Sequence, residues 1–200
     1  MVAMNLTSSF LDESALIQQA QRGSLEAFNR LVLNYQDLVF RVACRILQDE
    51  AAAEDVSQIA FMRAYQKLAC LYGSSFRVWL LKIVTHLCYD ELRKKKRHPL
   101  VRFVALSQEE DEEAPAEEYL PAVEPGPEQV VVNREERRMI ERCLASLPVE
   151  YRLALEMVDI LGLDYAQSAQ VMGCPIGTVK SRLARARMQM RQKLSEHHLA

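Results

Sequence analysis

Long apolar runs are missing from this 200-residue chain. The longest, such as VWLLKIV from Val78, fall far short of the roughly 20 residues a bilayer demands, and the N-terminal MVAMNLTSSFLDES has no basic start followed by an apolar stretch. The expected compartment is therefore the cytoplasm. Cysteine pairing is missing too: the five cysteines (44, 70, 88, 143, 174) are odd in number, widely spaced and without a CxxC, which reads as buried free thiols rather than a disulfide or metal set. Histidine is scarce, with only His86, His98, His197 and His198, and no spacing among them makes a metal or acid–base constellation. No catalytic residue, metal or cofactor is expected. Alternating apolar and polar residues never persist long enough for a strand, so the fold should be all-α. With 50% hydrophobic and 26% charged residues the chain is not generally disordered and can bury one large or two small cores.

What is present is an uneven distribution of charge. Residues 103–133 hold nine acids and no base, while residues 1–102 carry 14 Lys and Arg against 10 Asp and Glu, and residues 134–200 carry 11 against 8. The overall net charge of −2 thus belongs to the middle. That middle, SQEEDEEAPAEEYLPAVEPGPEQ, adds four prolines and has no apolar helical face, as expected of a flexible acidic linker. It divides the chain into a first domain over 12–98, a linker over 99–130 and a second domain over 131–196. The linker could compete with a polyanion for the basic modules beside it, or serve solubility alone.

In the first domain, Ala27, Phe28, Leu31, Val32, Tyr35, Leu38, Val39, Val42, Ala43 and Ile46 recur at helical spacing, with Gly23-Ser24 supplying the start. Asp49 is placed to cap a second helix through Leu68, and Ser74 or Ser75 a third running from Phe76 into RKKKR at 93–97. Those five cations suit a helix C-terminus, and they equally suit phosphates.

In the second domain a helix over 128–146 precedes another from Pro148 to Ile160, ended by Gly162. Asp164 then caps YAQSAQVM, Gly173 ends it and Pro175 opens the last helix. Ala169, Gly173 and Val179 fit a helix-turn-helix, in which the alanine permits close approach, the glycine takes the left-handed turn and the valine anchors the second helix. The inner stripe is Val179, Leu183, Ala186, Met190 and Leu194. Lys180, Ser181, Ala184 and Arg185 face away from it, where a recognition helix presents side chains to a major groove.

Two separate segments together resemble one family. AEDVSQIAFMRAYQKL with SSFRVWLLKIV is similar to the core-binding and promoter-melting domain of the extracytoplasmic-function (ECF) sigma factors of bacteria, and LPVEYRLALEMVDILGLDYAQSAQVMGCPIGTVKSRLARAR to their C-terminal domain. The resemblance implies a sigma2-like helical bundle and a sigma4-like helix-turn-helix, without cofactor, with core RNA polymerase, promoter DNA and an anti-sigma protein as partners. It implies polymerase contact through Asp55, Gln58 and Phe61, although Phe61 also suits a core. For the −10 element it implies Phe76, Arg77, Trp79, Lys82, His86 and Arg93, aromatic and cationic groups of the kind that hold an unstacked strand, although Trp79 equally suits a core. For the −35 element it implies Lys180, Ser181, Ala184 and Arg185 near bases, with Thr178, Arg182 and Arg187 nearer phosphate.

Departures are visible. LYGSSF replaces the family's FRGxSSF-like loop, His86 stands where an asparagine is common, and Ser168 replaces a large apolar residue, which loosens the first helix of the motif unless its hydroxyl bonds back to the chain. The rival reading is an operator-binding helix-turn-helix regulator that acts as a dimer without polymerase. The D-x-x-Q and S-S-F-R-x-W-L stretches of the first domain have no role in it.

Overall fold

The computed structural model describes residues 13–71, 75–97 and 127–198, with side chains omitted at 97, 127–135 and 197–198. Residues 99–126 of the expected acidic linker and Ser74 lie outside the described residues, while 127–130, expected to belong to the linker, open a helix. All regular elements described are helices. Helix α1 covers 13–21, α2 Leu25–Leu47, α3 Glu50–Lys67 and α4 Phe76–Arg97, with a short 3₁₀ turn at Leu68–Cys70. The second module has α5 Pro127–Ala145, α6 Val149–Leu155 running into a π turn at Glu156–Ile160, α7 Tyr165–Met172 and α8 Ile176–His198. These bounds sit within a few residues of those expected from periodicity and caps.

The caps explain the boundaries. Ser24 accepts the Ala27 amide at 3.2 Å, and Asp49, in extended backbone, accepts that of Ala52 at 3.0 Å. Each satisfies a donor the first helical turn leaves free. Asp49 has a second partner, since Lys95 near the end of α4 donates to it at 2.5 Å and ties that end to the start of α3. The Ala52 amide and then Lys95 hold the Asp49 carboxyl below its usual range. Helix α2 ends where Gln48 turns left-handed at φ 53°.

In the first module α2, α3 and α4 pack pairwise around Leu31, Val39, Val42, Ile46, Ala60, Leu80 and Val84, all at or below 2% exposure. Small Ala53, Ala60 and Ala64 on α3 are fully buried, which lets its backbone approach its neighbours closely. The second module folds α6, α7 and α8 around Leu153, Met157, Val171, Val179 and Leu183. The two cores are continuous. Helix α4 packs against α7 and α2 against α6, so the buried apolar residues of both modules form one cluster.

The thiols divide more than the sequence suggested. Cys88 and Cys143 are buried, Cys44 and Cys174 half-buried, but Cys70 is exposed, because the 3₁₀ turn carries it off the apolar face. Burial pushes the Cys88 thiol up to about 12 and Cys44 also upward, which leaves both poorly nucleophilic.

Asp49→Ala is expected to cost about 1 kcal/mol of stability in urea unfolding, and Asp49→Ser to recover most of it. Because the folded pKa of Asp49 is depressed, its contribution is present above the unfolded carboxylate range of about 4 and is lost as pH falls through the folded value. The wild-type advantage over Asp49→Ala should therefore shrink in acid.

Candidate nucleic-acid interface

The α7–turn–α8 unit is rigidly built from local chemistry. Asp164 accepts the Gln167 amide at 2.7 Å while the Gln167 side chain accepts the Asp164 amide at 3.1 Å, a reciprocal capping box. Gly173 stands at φ 61° and its N–H bonds Ala169 O, a conformation that strains any other residue. Pro175 then accepts the Thr178 amide at 2.9 Å and α8 begins. Val179, Leu183 and Ala186 are buried beneath it, while Met190 and Leu194 are half-buried. Val179 is thus the anchor that the spacing implied.

Outward from that stripe, Lys180, Ser181, Ala184 and Arg185 are all exposed, and Thr178 and Arg182 are half-buried at the edges. The Lys180 ammonium lies 5.4 Å from the centre of the Tyr165 ring, which fixes a long side chain over an exposed aromatic face. Ser181 donates to Thr178 O at 3.0 Å, and its oxygen remains on the surface. Arg187 behaves differently. It grips Asp159 in the π turn through two surface bonds of 2.9 and 2.6 Å, so its charge is matched by the protein itself, and that pairing raises its pKa. Two residues on this face escaped the sequence reading. Tyr165 and Met188 are 40% and 63% exposed, and the signal for Met188 was its place one helical turn beyond Ala184 and Arg185.

On α4 the expected −10 residues fall into two groups. Trp79, Lys82, His86 and Arg93 recur at helical spacing, with Lys82, His86 and Arg93 exposed and Trp79 half-buried. Phe76 is 1% exposed, its ring 5.3 Å from that of Tyr35 and 5.9 Å from that of Trp79, so it is core and offers no face to a base here. Arg77 is spent on a bond to Leu161 O at 2.9 Å. Of the basic tail, Arg93, Lys94 and Lys95 pair with Asp90, Glu91 and Asp49 at 3.3, 3.2 and 2.5 Å. Only weak net attraction is expected from such exposed pairs, so these cations stay available to a stronger anion.

On α3, Asp55 and Gln58 are exposed side by side, and Phe61 is half-buried against the core. Ile59 and Met62, 41% and 62% exposed, share that face and were missed. The face thus combines an exposed apolar strip with an acid and an amide. Among the described residues no cluster of three or more potential ligands could hold a metal ion, and no helix is long and apolar enough to cross a membrane.

Known proteins match both modules in order. The family described as Sigma-70 region 2 matches residues 31–98, and that described as Sigma-70, region 4 matches residues 137–190. The chain is 33% identical over 189 residues to the ECF RNA polymerase sigma-E factor of Escherichia coli K12, covering 94% of this chain and 96% of that protein. This chain belongs to the ECF sigma factors. The RNA polymerase sigma-H factor of Pseudomonas aeruginosa is 34% identical to it over 176 residues, covering 88% and 90%. The ECF sigma factor SigE of Mycolicibacterium smegmatis is 32% identical over 88% of this chain, which spans 65% of that protein's length. In fold, this sigma factor resembles the sigma factor RpoE of Bartonella quintana, solved with the anti-sigma factor NepR, at a TM-score of 0.65 and 24% identity over 86% of this chain and 98% of that one. It also resembles CnrH, solved with the cytosolic domain of CnrY, at a TM-score of 0.62 and 20% identity over 92% and 98%. The match over residues 31–98 is what an operator-binding regulator leaves unexplained. As a sigma factor the chain directs promoter-specific initiation by RNA polymerase.

Within the helix-turn-helix, Ser168 is fully buried and its hydroxyl has no hydrogen-bond partner among the described residues, so it does not bond back to its own helix. Replacing such a group removes a desolvation cost. Ser168→Ala is expected to raise stability by about 1 kcal/mol in thermal or urea unfolding, and a loss of stability would contradict the geometry.

Proposed function

We propose that this sigma factor divides its work among three surfaces. Helix α8 reads the −35 element in the major groove, with Lys180, Ser181, Ala184 and Arg185 nearest the bases and Thr178 and Arg182 toward the backbone. Helix α4 and the segment before it meet the −10 element, with Trp79, Lys82, His86 and Arg93 forming the strand-facing stripe. Helix α3 docks on core polymerase through Asp55, Gln58 and Phe61, to which the exposed Ile59 and Met62 add apolar area. The observation that carries this reading is the recognition face of α8, cationic and solvent-facing behind a fully capped turn.

The roles are those of a specificity subunit without chemistry of its own. It works in the cytoplasm, where polymerase and promoter are, and it meets an anti-sigma protein, as RpoE meets NepR. The modest positive charge of each module suits weak binding by the free chain that strengthens once polymerase holds both modules on one promoter.

Lys180→Ala with Arg185→Ala should cut promoter-specific transcription at least tenfold while leaving the complex with core polymerase intact, since each lost base contact is worth about 1–3 kcal/mol. Asp55→Ala with Gln58→Ala should instead weaken co-migration with core polymerase on a sizing column. The reverse pattern would exchange the roles of the two modules.

A further inference from the structure

We infer that helix α1 braces the −10 reader: Gln21 at its end and Glu13 at its start hold the two flanks of the segment that precedes α4, and so set where that segment meets the opened strand. Gln21, Glu13 and Tyr35 are positioning residues that act through the segment and through α4. The inference rests on the −10 role proposed for α4 and the segment before it.

The brace is seated by local chemistry. Leu16, Ile17 and Ala20 fall on one face of α1 and pack with the buried cluster, Ala20 being 5% exposed. At the end of α1 the Gly23 N–H bonds Ala20 O at 3.0 Å, with Gly23 at φ 97°, and the Ser24 N–H bonds Gln19 O at 3.0 Å. Gln21 therefore extends from a fixed turn, just ahead of the Ser24 cap of α2.

The first flank is the exit of α3. The 3₁₀ turn Leu68–Cys70 leads into Leu71, whose backbone is extended and whose N–H bonds Leu68 O at 3.0 Å. The Leu68 and Leu71 side chains are 2% and 7% exposed. Gln21 Nε2 donates to Leu68 O and to Leu71 O, both at 3.1 Å, one amide hydrogen for each. Carbonyls beyond a helix end must find partners elsewhere, and here a side chain 47 and 50 positions away supplies one. Gln21 is itself exposed, so what it gives the fold is these two bonds rather than buried area.

The second flank is the start of α4. The Tyr35 hydroxyl on α2 donates to the Glu13 carboxylate at 2.9 Å. Burial first, and then Glu13, hold the Tyr35 phenol above its usual value, so it remains a donor. Its ring stands 5.3 Å from that of Phe76, the first residue of α4, and Phe76 stands 5.9 Å from Trp79 of the proposed strand-facing stripe. Glu13 and Gln21 are eight positions apart, about 12 Å along a helix, whereas the chain from Leu71 to Phe76 can span up to about 17 Å. A rigid helix tied to both flanks limits that span. A reader with fewer conformations to lose holds an unstacked base more tightly.

Transcription by holoenzyme assembled from the full chain and core polymerase, on a promoter library randomised over both elements, reads the brace. Gln21→Glu keeps the shape but turns an acceptor toward two carbonyls. It should lower selection at the −10 element about tenfold, with the −35 motif and co-migration with core polymerase unchanged. Gln21→Lys, which restores a donor, should recover most of that selection. Tyr35→Phe, which keeps the ring and frees Glu13, should show the same −10-specific loss in weaker form. An unchanged −10 motif in Gln21→Glu, an equal loss at both elements, or no recovery in Gln21→Lys overturns the brace. Should Gln21→Glu fail to fold, Tyr35→Phe decides by the same contrast between elements. Lys82→Ala with His86→Ala separates the two failures. If that pair leaves −10 selection intact, the −10 role of α4 falls and the brace with it; if it abolishes selection while Gln21→Glu does not, the brace alone falls.

Discussion

Helix α4 has to satisfy two packing surfaces at once. Phe76, Leu80, Val84 and Leu87 bury one arc of it, and Val78, Leu81, Thr85 and Cys88 extend the buried arc to more than half its circumference. Each fully buried aliphatic side chain contributes roughly 1.5–3 kcal/mol, so neither surface is dispensable. The remaining arc carries Trp79, Lys82, His86 and Arg93. A helix that is core on one side, inter-module seat on another and basic and outward-facing on the third leaves little freedom in where the two modules meet.

The same economy governs the cations. Arg187 is matched by Asp159 and Arg45 by Glu156, and Arg152 is spent on carbonyl oxygens, whereas Lys180 and Arg185 stand on the surface beside an aromatic ring and a weak hydroxyl contact among the described residues. Burial decides for Arg152, which is 4% exposed, whereas Arg187 and Asp159 pair at the surface. A charge removed from water must be paired, and Glu156 shows the tension, since desolvation pushes its carboxyl above the usual range against the pull of Arg45. Charges left in water without a carboxylate partner among the described residues, as at Lys180 and Arg185, remain free to meet phosphates. The proposed division of labour follows from that contrast.

Much of the architecture was legible before any coordinates. Ser24, Asp49 and Asp164 are short polar side chains just before apolar periodic stretches, and each accepts an amide in the first turn it precedes. Gly173 at its left-handed turn and Val179 beneath α8 followed from the same local rules. Of the candidate site, the outward set on α8 was readable because helical spacing alone assigns faces. Phe76 and Arg77 were not, since a residue's periodicity does not say which neighbour will cover it. Ile59 and Met62 went unremarked because an exposed apolar side chain looks, in sequence, like a buried one.

The sequence by itself determined the helices, their caps, the uneven charge and the face that α8 turns outward, because these depend on residues within a few turns of one another. Tertiary structure alone decided that the two modules share one core, that Arg187 is clamped by Asp159, and that Arg152 and Glu156 ignore each other for partners on other helices. Those outcomes depend on residues 28 to 111 positions apart meeting in space, and on the desolvation that only their meeting creates.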